Sequence, residues 1–466
     1  MWCLELVTSL DAAKYPEIEQ LHLNLYQVMK NTFKRSSLFL LLLTLTLGCE
    51  YAEDTPSPVT SDAGQMTVKL AGPVSYVIED GKFPTVAIDE ASQKTYVAFF
   101  RKDGEFTNVF LISKALSDTV WSAPVRVSRA DENASAHSQA PAQVVVGPEG
   151  NVYVVWTNSI LVEGRRFPAS NLLFARSEDG GATFSDQRAI NTDADGPPAG
   201  HTFHDITVSK GGDIYVSWLD SRERYAALAY QTSKIPVVKA GLGMVRDHAA
   251  KHEPGTQVWI AYSHDKGETF SEGTVVARET CQCCRTSIMV WEDDTVYVSW
   301  RHIFPGTERD MALARSEDGG KTFSGPERIH QDNWSIEGCP HAGPSLVIDA
   351  AGQFHAAWYT GEESKPGLYY SFSKDGNAFT DAQPLVTGVG VSQVQLAGHG
   401  NGRTWLTWED KTTDVVQIAY KEKDGALNVL DPMLKSVTAP AIDASASTWV
   451  VVAQGKAGMQ IMQGTY

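Results

Sequence analysis

No apolar run in this chain is long enough to cross a bilayer. Its one extended stretch, SSLFLLLLTLTLG over residues 36–48, falls short of the ~20 residues that a spanning helix needs. Cationic residues are scarce as well: 39 Lys and Arg stand against 56 Asp and Glu, a formal net charge of −17. This argues against the Lys/Arg-rich surface on which non-specific binding to nucleic acid or anionic lipid depends. Cysteine is rarer still, 6 in 466 residues. What remains is an ordinary globular composition, 42% hydrophobic and 20% charged, which can bury a sizeable core. Closed all-β folds often exceed the usual domain length, so one large domain fits the length as well as several small ones.

The apolar stretch has a function of its own. Met29-Lys30-Asn31-Thr32-Phe33-Lys34-Arg35 is a basic segment, and the apolar run follows it directly and stops at Cys49. This is the layout of a cleaved export signal. Leu45-Thr46-Leu47-Gly48-Cys49 resembles a bacterial lipobox, whose pattern prefers Leu where Thr46 stands. The resemblance implies lipidation at Cys49, and Glu50 after it favours the outer membrane of the cell envelope. Residues 1–28 carry acids and no apolar run, so they read as an over-long gene start. Residues 29–48 are then the signal and 49–65, polar with two prolines, a flexible tether.

Downstream one octad recurs. Ser177-Glu178-Asp179-Gly180-Gly181-Ala182-Thr183-Phe184 returns as 263–270 and 316–323, and more loosely at 373–379. Its chemistry is that of a turn: Asp caps backbone amides, Gly takes positive φ, and the aromatic returns between sheets. Asp179, Asp265, Asp318 and Asp375 are therefore scaffold residues. Before each octad stands a hairpin whose second strand ends in Trp, as in VVVGPEGNVYVVW (144–156) and IMVWEDDTVYVSW (288–300). Together these resemble the sialidase-like, Asp-box β-propeller family over about residues 66–466. The resemblance implies an all-β propeller of four-stranded blades. Counting hairpins gives seven blades; sialidases themselves have six, and that number stays open. MTVKLAG (66–72) is placed as the outermost strand of the last blade, closing the ring with the C-terminus and removing exposed edges.

In such a blade the octad lies on one face, and the segment leading into the first strand lies on the other, near the axis. Read in order, these lead-ins concentrate unusual residues: His137, then His201 and His204, then Cys281-Gln282-Cys283-Cys284-Arg285, then Cys339-Pro340-His341. The loop after Trp300 adds Arg301 and His302 on the same face. Four thiols in an exported protein are open to two readings. They form bridges, Cys281 to Cys284 and Cys283 to Cys339, or they are soft ligands with His341 for copper or zinc. His204 and His302 are then additional ligands or neighbours of the site, and redox chemistry of the C-x-x-C is a further option. An insertion at about 222–257 lies on the same face as a lid, with a hairpin around Tyr225–Gln231 and a short helix around Met244–Lys251 that carries His248 and His252 near each other.

The family's sialidases bind the substrate carboxylate with an arginine triad and use a Tyr/Glu pair with an acid/base Asp. Phe99-Phe100-Arg101-Lys102 lacks the continuation of the family's first arginine motif, and the remaining groups find no match. Arg101, Arg285 and Arg301 are the carboxylate-binding candidates of that reading. Three functions are thus carried forward. The first is an envelope-anchored propeller with a metal or redox site at Cys281, Cys283, Cys284, Cys339 and His341. The second is a sialidase-like glycosidase, and the third a binding module with stapled blades. The ligand at the axial face would be a small molecule, glycan or protein, with membrane contact through the lipid anchor alone and no nucleic acid.

Overall fold

The computed structural model describes residues 74–465, apart from 166, 235–254, 293, 399–401, 423–426 and 431–433. The signal, Cys49, the tether, the strand placed at 66–72, and the helix with His248 and His252 lie outside the described residues. Within them the chain forms seven separate antiparallel sheets. Blades 1 to 6 take residues 82–126, 143–189, 201–280, 287–328, 345–387 and 391–435, each from inside outward in chain order. Blade 7 is built from both ends of the domain. Val437–Ala444, Thr448–Gly455 and Gly458–Thr465 supply three strands, and Val74–Glu79 pairs outside them, Val74 opposite Gln463 and Glu79 opposite Gly458. The closing strand is therefore 74–79, just after the segment that the sequence suggested.

The first strands of successive blades touch one another in a closed ring, blade 7 against blade 1 included. Every sheet is consequently sandwiched, and strand periodicity explains why the second strands read as unbroken apolar runs. In blade 2, Val152, Val154 and Trp156 face blade 1, whereas Tyr153 and Val155 face blade 3. Each of the seven blade interfaces holds its own apolar cluster. Trp156, Trp218, Trp300 and Trp358 occupy these interfaces and are almost wholly buried.

The octads join third to fourth strands. Asp179 Oδ1 accepts the Ser177 hydroxyl at 2.7 Å and the amides of Ala182 and Thr183 at 3.0 and 2.9 Å, while Oδ2 accepts the Thr183 hydroxyl at 2.6 Å. Asp265 and Asp318 repeat the pattern through Thr269 and Thr322. Asp375, whose octad has no Thr, accepts from the Ser373 hydroxyl and the Asn377 amide. Gly181 takes φ 85°, and a Cβ there would stand 2.8 Å from Leu111 of blade 1. The octad thus clips its blade to the one before.

A second recurrent device sits near the axis. The innermost strands of blades 1, 3, 6 and 7 slip register, and the residue inside each slip has positive φ: Phe83 (48°), Phe203 (57°), Gln393 (56°) and Ala439 (49°). Such bulges bend the strand and re-aim a side chain. Two of them, Phe203 and Gln393, reach the cysteine-bearing segments at the axial mouth.

The insertion departs from expectation. Instead of a hairpin around Tyr225–Gln231, Arg222–Lys234 is an α-helix. YAALAYQ is rich in good helix formers and has no turn residue with which to reverse. The helix is held by an Arg222–Asp220 ion pair at 2.7 Å, by Arg222 over the Trp259 ring, and by a Glu223–Arg278 ion pair.

The octads carry a pH signature. Hydrogen bonds, that of the Thr183 hydroxyl foremost, hold Asp179 down to about 2, and at Asp265 the cost of desolvation is outweighed by bonds from Thr269, which hold it to about 2. A depressed carboxylate stabilises the fold above its unfolded value near 3.8, and that contribution is lost as pH falls through about 2. Thr183→Val combined with Thr269→Val should lower the thermal midpoint at pH 7 and make its further fall between pH 4 and pH 2 shallower. Parallel pH profiles for variant and parent would show that these bonds do not set the acid limb.

Candidate metal centre

The chain leaves the outermost strand of blade 3, Thr274–Thr280, and must cross to the innermost strand of blade 4, Ser287–Val290. Residues 281–286 make that crossing over the end of blade 4. The Cys281 amide donates to the Arg301 carbonyl at 2.9 Å, and the Thr286 amide donates to the Phe203 carbonyl at 3.1 Å. Asp205 of blade 3 receives the Ile288 amide at 3.0 Å. Pinned at both ends, the crossing turns its three thiols inward: Cys281, Cys283 and Cys284 are 1%, 4% and 1% exposed. The Cys281 sulfur lies 3.7 Å from that of Cys283 and 3.6 Å from that of Cys284. Phe203 packs against them.

All four cysteines from 281 to 339 are free thiols. The two bridges considered from sequence are not present in the structure, and neighbouring Cys283 and Cys284 could share a bridge only with strain. Cys339 and His341 come from the lead-in of blade 5 and are exposed. Their ligand atoms and the Cys283 sulfur lie within 4.8 Å of one another, as do the three buried sulfurs. Cys283 belongs to both groups. His341 takes φ 50°, and its carbonyl accepts the Gln393 side-chain amide at 2.9 Å. A positive φ is costly for a residue with a Cβ, and here the Gln393 contact from blade 6 helps to fix it.

Electrostatics divide the thiols. Hydrogen bonds from Cys283 and Cys284 draw Cys281 well below the usual thiol range, helped by the charges of Arg301 and Arg309. Sharing its proton with Cys281 pushes Cys283 far up, and burial pushes Cys284 up to about 11. An incoming soft cation would displace the protons that the trio retains. Arg309 donates to the Cys281 sulfur at 3.4 Å and to the Gly338 carbonyl at 2.5 Å, tying the two cysteine segments together. Arg224 of the insertion helix donates to Gln282 at 3.1 Å.

The other nominated residues stand apart from these groups. His204 is wholly buried, and burial pushes it down to about 4 against the opposing pull of the Pro141 and Val155 backbone. His302 accepts the Trp300 indole N–H at 3.3 Å and packs edge-on against Phe304. Neither joins a cluster of metal-ligating atoms among the described residues. His201 is locked between Asp193 at 3.0 Å and Asp220 at 3.5 Å.

The three arginines do not act together. Arg101 lies over the Phe110 ring at 4.1 Å. Arg301 is 1% exposed and gives four of its five guanidinium N–H groups to the carbonyls of Ala342, Arg309 and Tyr359, which leaves it no paired donors for a carboxylate ligand. Of the three, Arg285 alone lines the small axial pocket, whose walls include Phe83, Pro141, Gln395 and Ala439. Its Nη2 donates to Gln393 at 2.8 Å, while its buried Nε has no partner.

Sequence reasoning passed over Arg309, Phe203, Gln393 and Gly343. Arg309 was in reach, because it closes the loop that begins at Arg301 and His302 on the same face. The others act through backbone conformation, which residue type does not announce. A Cβ on Gly343 would collide with the Arg285 carbonyl and stand 2.7 Å from its Cγ.

No family model matches the chain, and no curated protein matches it by sequence. Solved structures do. A PL25 ulvan lyase bound to -[GlcA(1-4)Rha3S]- is 12% identical at TM-score 0.52, covering 84% of this chain and 95% of its own. A protein of unknown function from Dyadobacter fermentans is 12% identical at TM-score 0.47, covering 86% and 100%. A Hadza microbial sialidase is 13% identical at TM-score 0.45, covering 78% and 74%. At such identities the likeness to the lyase establishes the fold alone. The molecule is a seven-bladed β-propeller with a cysteine cluster at its axial mouth.

Gly343→Ala should destabilise the protein by about 1–3 kcal/mol, the usual cost of overpacking a filled site. Thermal unfolding measures it, and an unchanged midpoint would show that the Arg285 backbone has room to move.

Proposed function

We propose that this chain is an exported, lipid-anchored propeller that binds a soft metal ion, copper or zinc, through cysteines and histidine at its axial mouth. The observation that carries the reading is the trio of buried, unbridged thiols, with the Cys281 sulfur 3.6 to 3.7 Å from the other two and all three within 4.8 Å. A metal–sulfur bond of ~2.3 Å at near-tetrahedral angles gives a sulfur separation of roughly 3.7–3.8 Å. The spacing therefore suits ligands of one ion. Cys281, Cys283 and Cys284 are the inner ligands, and Cys339 and His341 the outer ones. A purely apolar role for three adjacent thiols would need neither Arg309 beside Cys281 nor the strained backbone at His341. Lipidation at Cys49 would confine the site to the cell envelope, with the outer membrane favoured.

A second reading rests on Arg285. A buried guanidinium with an unpartnered nitrogen is costly, and no carboxylate forms an ion pair with it among the described residues. A carboxylate presented at the axial pocket, by an acidic sugar or a small acid, would satisfy it. With Arg301 committed to carbonyls and Arg101 on Phe110, this is a binding role for one arginine and supplies no arginine triad.

Protein purified without oxygen should contain copper or zinc, or take it up stoichiometrically, and titrate as free thiols once the metal is stripped. Cys283→Ser should lose the ion. No metal, no uptake and two reversible disulfide electrons per chain would replace metal binding with redox chemistry of Cys281 and Cys284. Cys49→Ala should move the protein from the membrane fraction to the soluble fraction; unchanged fractionation would remove the lipid anchor.

A further inference from the structure

The two ligand groups do not merge into one. Among the described residues no four of these ligand atoms lie within 4.8 Å of one another; the clusters are Cys281, Cys283, Cys284 and Cys283, Cys339, His341. Four ligands on one ion would all have to lie within roughly 4 Å of each other at ordinary bond lengths, which is what a closed tetrahedral zinc site requires. Water does not readily make up the count in the inner group, because its three sulfurs belong to residues no more than 4% exposed. Three thiolates in a dry pocket suit Cu(I), a soft ion that soft sulfur ligands select. The outer group is built differently: one shared buried sulfur, one exposed thiol and one exposed imidazole.

We propose that the mouth binds two Cu(I) ions, one in each group, with the Cys283 thiolate bridging them. This rests on the metal-binding reading and fixes its ion, its number and its connectivity. The charges balance without a change of oxidation state. Four thiolates and a neutral imidazole with two Cu(I) leave two negative charges, and the thiol protons displaced on binding pass to solvent. Two guanidiniums adjoin the inner group: Arg309, 3.4 Å from the Cys281 sulfur, and buried Arg301, whose carbonyl holds the Cys281 amide. Two divalent ions would leave these arginines facing a neutral cluster. The exposed ligands make the outer position the one that meets solvent, so copper reaches the inner trio through the sulfur that both share.

The test is Cu(I) titration of the full chain under anaerobic conditions against a chromophoric Cu(I) chelator, with elemental analysis and X-ray absorption of the loaded protein. The expected result is two copper ions per chain, sulfur-dominated three-fold coordination and a short copper–copper vector. Cys339→Ser alters an exposed residue and should leave folding intact; it should reduce the stoichiometry to one and abolish the copper–copper vector. Cys284→Ser should also leave one ion, now with a nitrogen ligand in its shell. One copper in the parent protein, two without a copper–copper vector, or one zinc in preference to copper would overturn the two-ion site while leaving metal binding intact. No metal of either kind would overturn both readings.

Discussion

Each blade of this protein has two apolar faces and no helix to cover either, so a neighbouring blade must cover both. An open row of blades would leave two apolar faces in water. The ring removes them by setting blade 7 against blade 1, and Val74–Glu79 fastens the seam by pairing with Gly458–Thr465. The tryptophans at the interfaces are the anchors. Truncating such a side chain costs ~3–5 kcal/mol, a large share of the ~5–15 kcal/mol by which domains are usually stable. The octads act at the rim, where Asp179, Asp265 and Asp318 close each turn so that its glycine can rest on the preceding blade.

The same closure creates the site. A strand order running outward in every blade obliges the chain to return to the axis before the next blade begins. Seven such returns converge on one face, and each must cross the end of the blade it is about to enter. Most are short and bland. The return into blade 4 is anchored by Arg301, Asp205 and Phe203, which belong to two blades. The return into blade 5 is tied to it through Arg309 and to blade 6 through Gln393. The cysteines are therefore held by several blades at once, and their spacing is a property of the ring and not of any one segment.

Much of this architecture could be read from the residues. The octads and the hairpins repeat visibly, and the seven hairpins match the seven sheets. The clustering of Cys281 to Cys284 with Cys339 and His341 also came from placing lead-ins on one face. Other features were not legible. The stretch around Tyr225–Gln231 suggests a hairpin in the insertion, and it lies in the helix Arg222–Lys234. The pairing state of the cysteines was ambiguous, because bridges and ligands demand the same residue types at similar spacing. Three of the nominated side chains proved to be committed elsewhere: Arg301 to carbonyls, His302 to Trp300, and Arg101 to Phe110.

The sequence by itself determined the repeat, the strand periodicity and the face on which the thiols lie, because these depend on local turn chemistry and on which residues are apolar. It determined Asp179 and its counterparts as turn residues for the same reason. The tertiary structure alone decided which groups meet. That Cys283 is shared by two ligand groups, that Arg309 faces Cys281, and that Arg285 passes over Gly343 toward Gln393 all depend on distances between blades. Such distances are set by how seven separately folded sheets pack around an axis, and no pattern along one strand encodes them.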